Sequence, residues 1–337
     1  MSDSETLGQV RVPGVLVLAS LHGGRRFQQF FLDGPAALLV DTGMAGWVQE
    51  RILPQLRAVG VRPEAVRYVL NTHADVDHYG GNGEVRAQLP GATLLAHAAD
   101  APLIEDWSRM VRLRFGIYAR CGHPYPAEVL SWLREAAGPA VRPDVLLRGG
   151  EVLRLGPDRE VEIVRLPGHS RGMVGVWDPR HRVLVGADAA LGAGMPNERG
   201  VIEGPTPYFD PAAYRRTLRH MLGYDFSWLL LSHHPVMDQA AGRRFLQVSL
   251  DHTYALETAL LRHLAADGEP AAFETLYRGL LQEFGPYPVM PNELCAPLAG
   301  HLRDLVRGQR VVKVTDRGGA APRFKLPDGW PGGNARG

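Results

Sequence analysis

The fold of this chain is decided by the segment Asn71-Thr72-His73-Ala74-Asp75-Val76-Asp77-His78-Tyr79-Gly80-Gly81-Asn82. It directly follows the apolar run Val66–Leu70, which predicts a buried strand. In an extended loop after that strand, side chains 73, 75 and 77 would point roughly the same way, and His78 would turn back beside Asp77. Because imidazole and carboxylate groups together suit zinc, iron or manganese, the segment predicts a metal site.

Four other apolar runs also end in residues that could hold or orient a metal. The runs Ala36–Val40, Val161–Leu166, Val183–Val185 and Trp228–Leu231 are followed by Asp41, His169, Asp188 and His233, in that order. Open active sites are commonly built at the carboxyl ends of strands. We therefore expect these side chains to converge on the His73–His78 cluster.

This ordered set resembles the metallo-β-lactamase superfamily, in a glyoxalase II-like form, over roughly residues 10 to 240. The family pattern is His-x-His-x-Asp-His, then Gly-His, Gly-Asp and a final Gly-His, and Leu39-Val40-Asp41-Thr42-Gly43 matches its first motif. The resemblance implies a four-layer αββα sandwich that binds two divalent metal ions. It assigns His73, Asp75 and His169 to one metal, Asp77, His78 and His233 to the other, and Asp188 to both.

The resemblance also implies roles in catalysis. A water or hydroxide between the metals would be the nucleophile, and His73, Asp77 and Asp188 are the predicted catalytic residues. Asp41 would orient a ligand histidine. His234, which stands where the family has glycine, is expected to face the pocket. Arg171 and Tyr208 complete the set of residues expected to support the ligands or contact the substrate, although a surface position for Arg171 is equally compatible with the sequence.

One ligand departs from the family pattern, because Asp75 replaces the second histidine. The extra carboxylate is expected to make the site more anionic and harder, which favours iron or manganese over zinc. Similar carboxylates occur in flavodiiron proteins, in a diiron hydroxylase of antibiotic biosynthesis and in the DNA-processing domain of bacterial competence proteins. The metal and the reaction type therefore stay open at this point.

The order of predicted elements favours an α/β (α+β) architecture with two units. Strands with interspersed helices predict a catalytic domain over residues 1–242, interrupted at about 100–145 by a helical insertion rich in aromatic residues. Residues 243–337 are expected to form a winged-helix-like appendage of three helices, Phe245–Ala265, Ala272–Phe284 and Glu293–Leu305, and a β-hairpin around Asp316–Pro322. Pocket closure or homodimer contact is its expected role.

The composition limits the partners. Lys+Arg number 37 and Asp+Glu number 36, so no net charge attracts nucleic acid or an anionic membrane. Cys121 and Cys295 are expected to be free thiols, and the polar N-terminus lacks the features of a signal peptide, so we expect a cytoplasmic protein.

The favoured function is hydrolysis of an ester-like bond, in a lactone, thioester or carboxylic ester, by a metal-bound hydroxide. The aromatic insertion favours a small-molecule substrate with an apolar or acyl portion. The first alternative, motivated by Asp75, is a diiron O₂-dependent oxygenase or oxidoreductase. The second alternative is a phosphodiesterase or nuclease, which the balanced charge disfavours.

Overall fold

A computed structural model describes residues 6–266, 268–315 and 322–328 of the chain. Its strands are β1 Thr6–Val12, β2 Val15–His22, β3 Arg25–Leu32, β4 Ala37–Val40, β5 Val66–Asn71, β6 Thr93–His97, β7 Val145–Leu147, β8 Val152–Gly156, β9 Arg159–Arg165, β10 Val174–Asp178, β11 Val183–Ala187, β12 Met195–Pro196, β13 Ile202–Gly204, β14 Trp228–Leu231, β15 Met237–Asp238, β16 Ala271–Ala272, β17 Val312–Val314 and β18 Arg323–Lys325.

The helices lie between and after these strands. They are α1 Leu53–Ala58, α2 Val76–Tyr79, α3 Asn82–Gln88, α4 Ala101–Ile104, α5 Trp107–Met110, α6 Gly116–Arg120, α7 Ala127–Ala136, α8 Pro211–Gly223, α9 Gln239–Ala266, α10 Phe273–Phe284 and α11 Cys295–Arg307. Two wider turns of π-helix, Val48–Ile52 and Val111–Phe115, and two short 3₁₀ turns, Pro63–Ala65 and Pro291–Leu294, adjoin them.

Two sheets organise the strands. The first has the order β1-β2-β3-β4-β5-β6-β7, with antiparallel pairs up to β4 and parallel pairs from β4 to β7. The second has the order β15-β14-β11-β10-β9-β8, in which β11 and β14 are parallel. Parallel neighbours end at the same edge of a sheet. For this reason Asp41 and His73 leave the first sheet together, and Asp188 and His233 leave the second sheet together.

Alternation along the strands divides the hydrophobic core into layers. In β4, Leu38 and Val40 face the second sheet, while Leu39 packs toward α1 and α3. In β11, Val185 faces the first sheet, and Leu184 packs toward α8 and α9. The predicted four-layer αββα sandwich is confirmed. Each large side chain buried in this way contributes roughly 1.5–3 kcal/mol of hydrophobic stabilisation.

The C-terminal helices pack against the sandwich. Helix α9 begins at Gln239 rather than at Phe245, because the Asp238 carboxylate accepts a hydrogen bond from the Ala241 amide (2.8 Å) and caps the first turn. It runs without a break through residue 242, so the predicted domain boundary stays a prediction. Helices α10 and α11 and the small sheet β16-β18-β17 follow, and the winged-helix likeness also stays a prediction.

Residues 316–321 of the predicted hairpin turn lie outside the described residues. Among the described residues, Cys121 and Cys295 are free thiols, as predicted. None of the described helices, including the 28-residue α9, has the combination of length and hydrophobicity needed to cross a bilayer.

Candidate metal centre

The loop after β5 is shaped by hydrogen bonds to Asp41, whose backbone adopts a left-handed φ of 63°. The Asp41 carboxylate accepts bonds from the Thr72 amide (2.8 Å) and hydroxyl (2.9 Å). Asp75 is still extended, but α2 begins at Val76, and the His78 amide donates to the Asp75 carbonyl (3.0 Å). The prediction of an extended loop through residue 77 is therefore wrong. The helical turn sends Asp77 away from Asp75.

The seven predicted ligands converge in two clusters that share a centre. We call His73, Asp75 and His169 the Asp75 half, and Asp77, His78 and His233 the Asp77 half. In each half, ligand atoms of the three side chains lie within 4.8 Å of one another. Asp188 clusters in the same way with His73 and His78, one residue from each half. Asp188 therefore lies between the halves, and its role as a shared ligand stays a prediction.

Several distances within the centre are too long for hydrogen bonds. His73 Nε2 lies 3.6 Å from Asp75 Oδ2, and His78 Nε2 lies 3.4 Å from Asp77 Oδ2. His73 Nε2, His78 Nε2 and Asp188 Oδ1 are buried and have no hydrogen-bond partner among the described residues. Buried polar atoms are almost always paired. Three orphaned atoms in a cluster of four histidines and three carboxylates fit a site for divalent cations such as zinc, iron or manganese.

The other ring nitrogen of each histidine is held by a separate group. His73 Nδ1 lies 3.1 Å from the Thr72 hydroxyl, and His78 Nδ1 lies 2.8 Å from the Asp41 carboxylate. His169 Nδ1 lies 2.6 Å from the Pro207 carbonyl, and His233 Nδ1 lies 3.0 Å from the Arg26 carbonyl. Such bonds fix the ring and leave Nε2 for the metal. Asp41 therefore lies where its carboxylate can orient His78.

Mutual charges shift the pKa values of these groups. Burial alone would raise the pKa of Asp77, but the neighbouring His78 and His233 lower it. Burial alone would lower the pKa of His233, but the carboxylates of Asp188 and Asp77 raise it to about 10. The carboxylates are therefore ionised at neutral pH, which is the form that binds a cation.

A family model described as the metallo-beta-lactamase superfamily matches residues 30–233, the range that contains every one of these side chains. The chain belongs to the metallo-beta-lactamase superfamily. A metallo-beta-lactamase family protein from Thermus thermophilus superposes with a TM-score of 0.72 at 21% identity, over 94% of this chain and 99% of that one. At this identity the likeness supports the fold alone.

Two curated relatives match parts of the chain. An acyl-coenzyme A thioesterase from Gallus gallus is 28% identical over 169 residues, which cover 47% of this chain and 55% of the relative. A hydroxyacylglutathione hydrolase from Anaeromyxobacter dehalogenans is 31% identical over 159 residues, which cover 44% of this chain and 59% of the relative. The matched stretches therefore span less than two thirds of either relative's length.

The carboxylate of Asp75, which stands where the family pattern has histidine, is paired with an arginine that the sequence pattern does not predict. Arg114, in the helical insertion, is only 6% exposed and donates from Nε and Nη2 to the two oxygens of Asp75, both at 2.9 Å. Its Nη1 also contacts the Tyr118 hydroxyl at 2.6 Å. Because the guanidinium offsets the carboxylate charge, the expectation of a more anionic site is wrong. The net charge of the Asp75–Arg114 pair is zero, which is also the charge of the neutral histidine that the family pattern has at this position.

The charge of Arg114 also affects the titration of Asp75. Burial alone would raise the pKa of this carboxyl, but the Arg114 charge, the hydrogen bond with His169 and the nearby His73 imidazole hold the pKa well below its usual range. No sequence signal distinguishes Arg114 from Arg109 and Arg112 in the same segment, because only the path of the insertion buries one and exposes the others.

An open cavity lies over the centre, with about 700 Å³ of empty space when the solvent at its mouth is included. Asp75, Asp77, His169, Asp188 and His233 form its floor. Phe27 and Met44 from the sandwich and Phe115, Trp132 and Leu133 from the insertion make its walls apolar. Met290 and Glu293, at the 3₁₀ turn between α10 and α11, complete the lining. The insertion and the C-terminal region thus both contribute residues to the lining of the cavity.

Three other predicted site residues lie away from this cavity. Arg171 is exposed. Tyr208 is buried, with its hydroxyl 2.9 Å from His301 Nε2 of α11. The His234 ring packs against Phe245 of α9, 4.5 Å between centroids, and its burial lowers its pKa to about 3. His234 therefore lies outside the pocket that His233 lines, because α9 provides the apolar surface on which its ring packs.

Proposed function

We propose that the chain is a dinuclear metal hydrolase of ester-like bonds, with acyl thioesters as its substrate class. The observation that carries the proposal is the convergence of seven ligand-type side chains, three of them with orphaned buried atoms, on the floor of an apolar cavity. Membership of the metallo-beta-lactamase superfamily supports the hydrolytic reaction type. The names of the two curated relatives, an acyl-coenzyme A thioesterase and a hydroxyacylglutathione hydrolase, both describe thioester cleavage.

The residues of the chain would divide the work between holding the metals and holding the substrate. The Asp75 half and the Asp77 half would each hold one ion, with Asp188 between them. When bound, a pair of divalent ions lowers the pKa of water and polarises a carbonyl oxygen. Asp41, the Arg26 carbonyl and the Pro207 carbonyl keep the imidazoles in fixed orientations, so that little reorganisation is needed during the reaction.

The apolar walls determine where the acyl group lies. Phe27, Phe115 and Trp132 offer large aromatic surfaces beside the ligands, and they exclude water from the reacting carbonyl. A substrate with an aliphatic or aromatic acyl portion would bury this part against them. A bare phosphate ester would leave these walls uncovered, which favours the thioesterase over the phosphodiesterase alternative.

An anaerobic assay with the zinc or manganese form tests the proposal. We expect turnover of a panel of acyl thioesters, aryl esters and lactones, with the highest kcat/KM on thioesters. His73→Ala should lose activity by at least about 100-fold, because it removes a group expected to hold the metal. His220→Ala is the matched control, since His220 is an exposed histidine outside the centre.

The second candidate, an O₂-dependent diiron enzyme, is motivated by the carboxylate at Asp75. The pairing of Asp75 with Arg114 weakens this motivation, because the guanidinium offsets the added charge. If no panel substrate turned over anaerobically, while the iron form consumed O₂ in a substrate-dependent manner, the oxygenase would replace the hydrolase.

A further inference from the structure

The hairpin between β2 and β3 fixes an arginine at the rim of the cavity. Its loop is Gly23-Gly24, with φ values of 56° and 69°. Positive φ at both central positions defines the tight turn that matches the twist of a hairpin, and glycine adopts it without strain. Arg25 is therefore held in register opposite His22, at the first position of β3.

Arg25 shares a face of β3 with Phe27, because alternate residues of a strand point the same way. Both side chains line the cavity. The Arg25 guanidinium carbon lies 6.0 Å from the centre of the Phe27 ring, and this ring lies 5.0 Å from the His233 imidazole. One phenyl ring therefore separates the guanidinium from the Asp77 half.

Arg25 lacks the kind of partner that Arg114, the other arginine lining the cavity, has. Arg114 is paired with Asp75 at 2.9 Å. Arg25 has no ion pair with any described acidic residue, and its Nε atom is buried without a hydrogen-bond partner among the described residues. A buried donor left unpaired is unfavourable, and charge-assisted bonds to planar anions are among the strongest available to a guanidinium.

We propose that Arg25 binds an anionic group of the substrate, a carboxylate or a phosphate, at the rim of the metal pocket. The inference rests on the proposed hydrolase function and specifies its substrate class. The reacting carbonyl lies at the metal centre, an apolar spacer crosses Phe27, and the anion pairs with Arg25. A guanidinium suits this task because its N–H groups match the two oxygens of a carboxylate or phosphate.

Three thioesters with the same acyl group test the inference: a neutral ester of N-acetylcysteamine, an ester of glutathione with its carboxylates, and an ester of coenzyme A with its phosphates. We expect wild-type protein to favour at least one anionic ester. In Arg25→Gln, the ratio of its kcat/KM to that of the neutral ester should fall about 10- to 100-fold, mainly through KM. Arg25→Lys should retain part of the preference. Arg62→Gln, at an exposed arginine away from the cavity, should leave the ratio unchanged.

Binding measurements separate this inference from the proposed function. Calorimetry with S-methylglutathione and desulfo-coenzyme A needs no turnover, and the analogue that binds identifies the carboxylate or the phosphate. We expect Arg25→Gln to weaken that binding about 10-fold or more. Equal affinity in Arg25→Gln and wild type, or no binding of either analogue to wild type, would overturn the role of Arg25. Absence of thioester turnover with intact Arg25-dependent binding would instead overturn the hydrolase proposal.

Discussion

The two halves of the metal centre contain similar side chains but rely on different parts of the chain. In the Asp77 half, His78 is oriented by Asp41, and His233 is oriented by the Arg26 carbonyl, so both supports come from the first sheet and its loops. In the Asp75 half, the carboxylate is held by Arg114 of the insertion. His169 there bonds to the Pro207 carbonyl, next to Tyr208, which α11 holds through His301.

The difference shows which half is intrinsic to the sandwich. The Asp77 half needs only strand ends and a short helical turn. The Asp75 half depends on segments that lie outside the two sheets, and its charge depends on a guanidinium. Substitutions outside the sandwich should therefore change one half selectively, and those in the shared bridge should change both.

The largest effect is expected at Asp188, which lies between the halves. Asp188→Ala should lose both metal equivalents and reduce activity by at least about 100-fold, because a single carboxylate clusters with a histidine of each half. Metal analysis after dialysis measures the content directly. If Asp188→Ala retained two metal equivalents and full activity, Asp188 would not be a ligand shared by the two halves.

A smaller and more selective effect is expected at Asp75. Asp75→His leaves Arg114 as a buried cation without its carboxylate, which should destabilise the protein by about 3–5 kcal/mol. The double variant Asp75→His, Arg114→Met should recover most of this loss and shift metal preference toward zinc. Denaturant unfolding of the four proteins in the cycle gives the coupling energy. Additive effects of the two substitutions would show that the pair is not a unit.

Asp41 provides the corresponding test of the Asp77 half. Asp41→Asn should weaken binding of one metal equivalent about 10- to 100-fold, because the amide is a poorer partner for His78 Nδ1 than a carboxylate. The other equivalent should weaken less, because Asp41 reaches His73 of the Asp75 half only through the Thr72 hydroxyl. Competition with a chelator resolves the two affinities, and Asp158→Asn, at an exposed aspartate, serves as control. An equal weakening of both equivalents would mean that Asp41 does not support the Asp77 half selectively.

The smallest effect is expected from the contacts that hold the C-terminal helices. Glu257 of α9 pairs with Arg215 at 2.6 Å and Arg310 at 2.5 Å, and a hydrogen bond from His301, together with these arginines, lowers its pKa. Because the folded-state pKa of Glu257 is depressed, its charge stabilises the folded protein at pH values above the ordinary glutamate pKa of 4.5. This stabilisation is lost as the pH falls through the folded-state pKa.

Glu257→Gln should therefore lower the free energy of unfolding at pH 7 by about 1–3 kcal/mol. Its difference from wild type should shrink below about pH 4.5, where the unfolded-state glutamate becomes protonated. Glu269→Gln, at an exposed glutamate, should show no such pH dependence. A difference that persists undiminished at pH 3 would assign the effect to packing instead of charge.

The sequence predicts the Asp77 half better than the Asp75 half, and the reason is physical. Strand ends, motif spacing and alternation are local features, so the positions of His78, Asp188 and His233 follow from a few residues each. The helical turn at Val76 was missed because a single turn has no periodicity to detect.

The pairing of Arg114 with Asp75 joins residues that are 39 positions apart, through an insertion whose path depends on aromatic packing. Tyr118, Phe115 and Tyr125 pack edge to face at that point, with Phe115–Tyr125 and Tyr118–Tyr125 centroids 5.4 and 5.0 Å apart. Packing of this kind is specified by shape and not by sequence pattern. The position of the Arg114 charge beside Asp75 could therefore not be predicted from the sequence.

The glycine that follows α2 limits how such a centre can change over generations of mutation. A Cβ atom at Gly80 would lie 2.1 Å from the Ala136 carbonyl oxygen at the end of α7 and 2.8 Å from the Ala45 amide nitrogen. Any substitution there must move α7 of the insertion away from the loop that carries His73, Asp75 and Asp77. The base of the insertion is therefore expected to tolerate substitution poorly, whereas the exposed faces of its helices carry no such restriction. Sequence change in this wall of the cavity should therefore accumulate on those outer faces and leave the contact between α2 and α7 intact.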